Sequence, residues 1–270
     1  MPRMPGTRPI FGLLAALLVL PPTAGAGVII AAFQLRAAAP GPVRRMSPHW
    51  AGYVATPRAG AFTSVQATWV QPRIRCDRPG SSVAFWIGLG GATRSARGLE
   101  QIGTSADCSD TLVPSYSAWS ELIPVPAQSV QLPISVAAGD TITAEVAAGE
   151  MSVTFTLRNV TTDEVFSTET PARVLDVSSA EWIAEAPSFC LQRCTALPLA
   201  HFGTLKFTST AARIEGHMGT IKDSAWIHQP IRLASAREQP AALPSLLSAD
   251  GGSFTIRWRG PRRGLRFHRR

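Results

Sequence analysis

Ser179-Ala180-Glu181-Trp182-Ile183-Ala184-Glu185 is a short apolar stretch with two acids set into it. Read as a strand, it puts Glu181, Ile183 and Glu185 on one face and Trp182 and Ala184 on the other. A carboxylate in an apolar, aromatic strand is costly unless it is paired, hydrogen-bonded or used. Taken alone, the segment reads as an edge strand with both acids in water, because charged strand residues usually face solvent.

The same pattern recurs on either side. Phe62 to Val70 alternates, with Phe62, Ser64, Gln66 and Thr68 against Thr63, Val65, Ala67 and Trp69. Val113 to Ile123 also alternates, with Tyr116, Ala118 and Ser120 opposite Ser117, Trp119 and Glu121. Val83 to Leu89 is a nearly continuous apolar run that suits a strand buried on both faces. Trp50 to Ala55, Leu99 to Thr104, Glu164 to Thr168, Leu205 to Thr210 and Ala225 to Leu233 are further strands. Asp140 to Ala147 and Met151 to Arg158 form a hairpin across Ala148-Gly149-Glu150. Asn159-Val160-Thr161 is a formal glycosylation sequon, read here as a turn asparagine. Turn signals punctuate these strands, and no convincing amphipathic helix competes with them. The expectation is an all-β chain folded as an antiparallel two-sheet β-sandwich, of jelly-roll or concanavalin-like form.

The two ends differ from this body. Arg3 and Arg8 precede an apolar run from Ile10 to Leu20, followed by Pro21-Pro22 and an Ala-x-Ala site at Ala24-Gly25-Ala26. Residues 1–39 are therefore expected to be a signal peptide, with an uncleaved anchor as the rival, and residues 40–46 a linker or short pro-segment. The folded domain is expected over 47–233. Residues 234–270, rich in Pro and Ala and ending in an Arg tail, are expected to form an extension outside it.

The formal charge of +8 sits at these ends. Five Arg and no acid precede Pro48, and seven Arg and no acid lie from Arg257 onward, which leaves 14 bases against all 18 acids between them. The body is thus acidic, and the basic pI is no argument for nucleic-acid binding. The tail suits an anionic envelope or polymer, or is simply a solvated end. Four Cys suit an oxidising compartment and a secreted, monomeric product. Cys190 and Cys194 lie close enough to bridge a tight loop, which would leave Cys76 with Cys108, but three pairings are open.

Several chemistries find no support. There is no nucleophile elbow, and Gly88-Leu89-Gly90-Gly91 lacks the Lys and the helix of a phosphate loop. His49, His201, His217, His228 and His268 have no metal spacing, and no cofactor is called for. What remains is polar residues within apolar strands: Gln101, Glu121 and Glu181, with Trp86 and Trp119. They read as plain core or as the lining of a cleft.

Six short motifs then stand in order: Trp50-Ala51-Gly52-Tyr53, Trp86-Ile87-Gly88, Gln101-Ile102-Gly103, Tyr116 with Ala118-Trp119 and Glu121, Ala180-Glu181-Trp182-Ile183 with Glu185, and Phe202-Gly203-Thr204. Their order and spacing resemble the glutamic peptidases, or eqolisins, and their bacterial members above all, over roughly Ser47 to Leu233. The resemblance implies a sandwich with substrate in the groove of one sheet and acid endopeptidase activity on polypeptides without metal or cofactor. It also implies a catalytic pair at Gln101 and Glu181. Trp86 and Trp119 would line the cleft and Glu121 would be a supporting acid. Fungal members carry acids near the pair where this chain has Gly90 and Ser117, so what sets the ionisation of Glu181 is an open question. Glu121, if ionised, would push it upward. Two other classes compete: a non-catalytic peptide- or carbohydrate-binding sandwich, and a glycosidase using Glu121 and Glu181.

Overall fold

Alternating apolar and polar residues, dense in Val, Ile, Thr and aromatics, favour extended chain, and the computed structural model bears this out. It describes residues 46–93, 95–124, 129–190, 194–234 and 240–260. The expectations for 1–39, for 40–45 and for the Arg tail beyond 260 lie outside these. Among the described residues every regular element is a strand. In chain order they are β1 (Met46–Ser47), β2 (Trp50–Pro57), β3 (Phe62–Val70), β4 (Ser82–Gly90), β5 (Leu99–Cys108) and β6 (Pro114–Ile123). Then come β7 (Val130–Gln131), β8 (Thr141–Ala148), β9 (Ser152–Asn159), β10 (Glu164–Pro171), β11 (Ala180–Glu185) and β12 (Ser188–Cys190). The last are β13 (Cys194–Ala196), β14 (Thr204–Ile214), β15 (His217–Thr220), β16 (Trp226–Ala234), β17 (Pro240–Pro244) and β18 (Phe254–Trp258).

Hydrogen bonding runs in the order β10-β9-β8-β3-β14-β18-β17-β16-β2-β11-β4-β5-β6-β7. Adjacent strands along this path are antiparallel, while β1 adds to β16 in parallel. The sheet curls over so that β4 and β5 pack on β8 and β9. The fold is thus the expected all-β sandwich. Its core takes one face of each strand, with Trp69, Phe85, Ile87, Ile102, Phe155, Trp182 and Phe207 among its members. Trp182 is fully buried there and donates its indole N–H to the Gln66 carbonyl at 3.0 Å, which ties β11 to β3 across the core. Truncating such a side chain costs about 3–5 kcal/mol.

The C-terminal segment departs from expectation. Residues 240–260 do not trail outside the sandwich: β18 pairs with β14, β17 with β16, and the two with each other. Phe254 and Ile256 point into the core, and Phe254 meets the Tyr53 ring edge-on at 4.8 Å. The Pro- and Ala-rich run before them suggested a linker, yet these strands cover what would otherwise be two open sheet edges.

Cys76 and Cys108 form a disulfide across 32 residues. The backbone of the β12–β13 hairpin sets Cys190 opposite Cys194, while their side chains lie outside the described residues. Asn159 is buried and donates to the Ser135 carbonyl at 2.9 Å and to Asp140 at 2.8 Å, so it serves as a structural asparagine.

Candidate active site

The face of β11 opposite Trp182 carries Glu181, Ile183 and Glu185, as the alternation predicts. Strand register extends it into rows across the sheet. Glu181 stands opposite Val54 of β2 on one side and Gly88 of β4 on the other. Gly88 stands opposite Gln101 of β5, and Gln101 opposite Glu121 of β6. One row therefore reads Glu181, Gly88, Gln101, Glu121. At the usual strand spacing the Glu181 and Gln101 backbones are about 10 Å apart. Gly88 offers no side chain between them, so both can lean over it. A Cβ at Gly88 would lie 2.9 Å from the Glu100 carbonyl and 3.1 Å from the Trp86 ring.

The next row holds Ile183, Trp86, Gly103 and Trp119, and the one after it Glu185, Ala84, Ser105 and Ser117. With Trp50, Val54, Leu99 and Ile231 the tryptophans form a second apolar cluster, separate from the sandwich core. Trp50 and Trp86 meet edge-on, with ring centroids 5.0 Å apart. Trp86 and Trp119 thus lie beside the polar row and are buried.

The polar groups fall into bonded and unbonded atoms. Gln101 Nε2 donates to Glu121 Oε2 at 2.7 Å, which fixes the amide. Gln101 Oε1, Glu121 Oε1 and both oxygens of Glu181 are buried without a hydrogen bond from the described residues. Glu185 differs, since Trp86 Nε1 donates to its Oε2 at 2.8 Å. Ser117 pairs with Ser105, hydroxyl to hydroxyl, at 2.8 Å, so a neutral pair fills the place where an acid was expected.

Burial dominates the ionisation of these acids. It pushes Glu181, which is fully buried, well above the ordinary glutamate range. The Ser179 hydroxyl opposes this from nearby, without the geometry of a full hydrogen bond, and the charges of Asp176 and Glu100 add to it. Burial pushes Glu121 up to about 7, against its bond from Gln101. Burial pushes Glu185 up to about 8, with Trp86 opposing and Glu121 adding. Gln101 stands between Glu121 and Glu181 in the row, and the charge of Glu121 adds to the raised pKa of Glu185.

Sequence reasoning brought together Gln101, Glu121, Glu181, Trp86 and Trp119, and all five lie on one face. It did not place Trp50 at this face, where its ring meets Trp86, and it did not single out the buried Glu100, which register sets opposite Leu89 and Leu122 on the core side, or Asp176 in the loop before β11. Glu121 and Glu181 are three strands apart, a backbone separation of about 14 Å, and Gln101 stands between them. Among the described residues no group of three or more His, Cys, Asp or Glu is placed to hold a metal.

The fold has counterparts among solved structures. Scytalidoglutamic peptidase, bound to a peptide-based transition-state analogue, superposes with a TM-score of 0.67 at 23 % identity, over 78 % of this chain and 98 % of that one. SCP-B, of the eqolisin family and bound to the tripeptide Ala-Ile-His, gives 0.64 at 22 % identity over the same shares. Aspergilloglutamic peptidase from Aspergillus niger gives 0.55 at 23 % identity, over 66 % and 99 %. At these identities the likeness speaks for the sandwich fold. Among proteins of curated function none matches the sequence. The sequence model of the Peptidase A4 family matches residues 48–239, most of the chain. The chain therefore belongs to the Peptidase A4 family, the glutamic peptidases or eqolisins, and is a hydrolase of peptide bonds.

Proposed function

We propose that the protein is a secreted endopeptidase in which Glu181 is the general base and acid and Gln101 holds the attacking water and the oxyanion. One observation carries this reading: Glu181 and Gln101 share a row with only Gly88 between them. Glu185 lies two rows' alternation away, opposite Ala84, and is already bonded to Trp86.

The chemistry follows from the free atoms. Glu181 as carboxylate takes a proton from a water lodged over Gly88, and the hydroxide joins the scissile carbonyl carbon. Gln101 Oε1, which has no hydrogen-bond partner among the described residues, accepts from that water. Its Nε2 keeps one hydrogen on Glu121 and offers the other to the developing oxyanion. Glu181 then returns its proton to the amide nitrogen as the C–N bond breaks, so no net proton is gained or lost. Glu121 is a positioning residue that orients the amide. Because Glu181 is fully buried, hydrolysis requires this face to open to substrate.

Since Glu181 is a base only above its raised pKa, the acidic limb of activity belongs above the ordinary glutamate range. Export is supported by the N-terminal apolar run with its Ala-x-Ala site and by the Cys76–Cys108 disulfide. The test is cleavage of denatured casein with and without pepstatin, by wild type and by Glu181→Gln. Pepstatin-insensitive cleavage that vanishes in the variant supports the proposal, and full activity in Glu181→Gln refutes it.

A further inference from the structure

Trp86 is held at two opposite edges of its ring, and the mechanism above uses neither contact. Its indole N–H donates to Glu185 Oε2 at 2.8 Å, with both residues buried. The benzo edge of the same indole lies against Gly88, where an added Cβ would be 3.1 Å from Trp86 Cζ3. Gly88 is the residue between Glu181 and Gln101, under the space assigned to the attacking water. One rigid ring therefore links Glu185 to the catalytic row by direct contacts, although Glu185 itself lies two rows away.

The neighbouring strands make room for this link. Glu185 stands opposite Ala84 on β4, whose small side chain lets the carboxyl lean one row back to the Trp86 N–H. On its other side Glu185 stands opposite Trp50, whose ring meets Trp86 edge-on at 5.0 Å. Gly103 stands opposite Trp86 on β5, and a Cβ there would lie 2.6 Å from the Trp86 Cβ. Trp119 follows in the same row and is also buried, but its Nε1 has no hydrogen-bond partner among the described residues. Of these two tryptophans on either side of Gly103, Trp86 is the one tied by its N–H to a side chain of the site face. An indole N–H is costly to bury without an acceptor, so the bond to Glu185 fixes how the ring lies.

We propose that Glu185 is a positioning residue of the peptidase: by accepting the Trp86 N–H it fixes the indole as a wall of the space over Gly88. This rests on Glu181 and Gln101 working across Gly88, as proposed above. Glu185 touches no reacting atom and moves no proton in this role. It acts as a hydrogen-bond acceptor, so an amide oxygen can stand in for it. A ring released from Glu185 tilts over Gly88 and crowds the water.

The test is steady-state cleavage, by the full chain, of a fluorogenic peptide copied from a casein site that the wild type cuts, with Tm measured for every variant. Glu185→Leu removes the acceptor and Trp86→Phe removes the donor. Each is expected to lower kcat by about 10- to 100-fold, the cost of a small misplacement at a reacting centre, and to change KM much less. The double variant is expected to lose no more than the worse single one, because both changes break the same bond. Glu185→Gln keeps the acceptor and is expected to hold kcat well above that of Glu185→Leu. Wild-type kcat in a folded Glu185→Leu or Trp86→Phe overturns the proposal, even if Tm falls, since a purely structural bond would behave that way. Losses that add in the double variant overturn it, as does an equal loss in Glu185→Gln and Glu185→Leu. If Glu185→Leu does not fold, Trp86→Phe decides, and failure of both to fold would assign the bond to structure alone and also overturn the proposal. An active Glu181→Gln would refute the underlying assignment, whereas an inactive one beside wild-type kcat in Glu185→Leu would refute only this inference.

Discussion

Trp86 donates its indole N–H to Glu185 at 2.8 Å, whereas neither oxygen of Glu181, on the same strand face, accepts a hydrogen bond from the described residues. The two acids are equal in pattern and unequal in setting. Glutamine at 185 can still accept from Trp86, so Glu185→Gln is expected to retain activity within about tenfold. Glu181→Gln is expected to lose on the order of 10²- to 10⁴-fold, the usual contribution of a general base. Casein cleavage by the two variants, with circular dichroism to confirm folding, decides between them. A dead Glu185→Gln beside a live Glu181→Gln would exchange their roles.

Gly88 keeps the space between Glu181 and Gln101 open. A methyl there would press on the Glu100 carbonyl at 2.9 Å and on the Trp86 ring at 3.1 Å. Overpacking of this kind costs about 1–3 kcal/mol. Gly88→Ala is expected to lower Tm modestly and kcat/KM by more than tenfold, because the methyl enters the space assigned to water. Unchanged kcat/KM in a folded Gly88→Ala protein would show that the space is not used.

The buried acids give stability a definite slope with pH. Burial raises Glu100 and Glu185 from 4.5 to about 8 and Glu121 to about 7. Between those limits the folded protein holds protons that the unfolded chain has released. Their stabilisation is fully present below about pH 4.5 and is lost as pH rises through about 7 to 8. Tm is therefore expected to fall from pH 4.5 to pH 8, and Glu100→Gln to flatten that fall. A Tm that rises over this interval would contradict the assignment of these carboxyls as neutral.

The Cys76–Cys108 bridge closes a 32-residue separation that spans β4 and most of β5, two strands of the site. The chain-entropy relation gives about 3–4 kcal/mol for a loop of that length. Replacing both cysteines by serine is expected to lower the urea midpoint accordingly, while leaving kcat/KM nearly unchanged at temperatures where the protein stays folded. An unchanged midpoint would mean that the unfolded chain gains little freedom from the loss of the bridge.

Much of this was legible in the sequence because sandwich strands expose and bury alternate residues. Phe62–Val70 fell on β3 without adjustment, and the faces of β11 came out as its alternation required. What stayed hidden depends on long-range register and on composition. That Glu181 and Gln101 share a row with a glycine between them follows from pairings across distant parts of the chain. β17 and β18 were obscured by the Pro- and Ala-rich residues around them, although Phe254, Ile256 and Trp258 alternate as a strand should. Asp176 was invisible because a loop acid gives no periodic signal. What sets the ionisation of Glu181 stayed open as well: its complete burial, the largest cause of its raised pKa, comes from the packing of distant strands.

The account stands most directly on the acidic limb of proteolysis. Cleavage of denatured casein by the wild-type chain, measured across acidic and neutral pH with pepstatin present, should fall as pH drops, with an apparent pKa above 4.5, and Glu181→Gln should show no such titrating activity. Pepstatin-insensitive cleavage that persists in Glu181→Gln with the same pH profile would contradict the central claim.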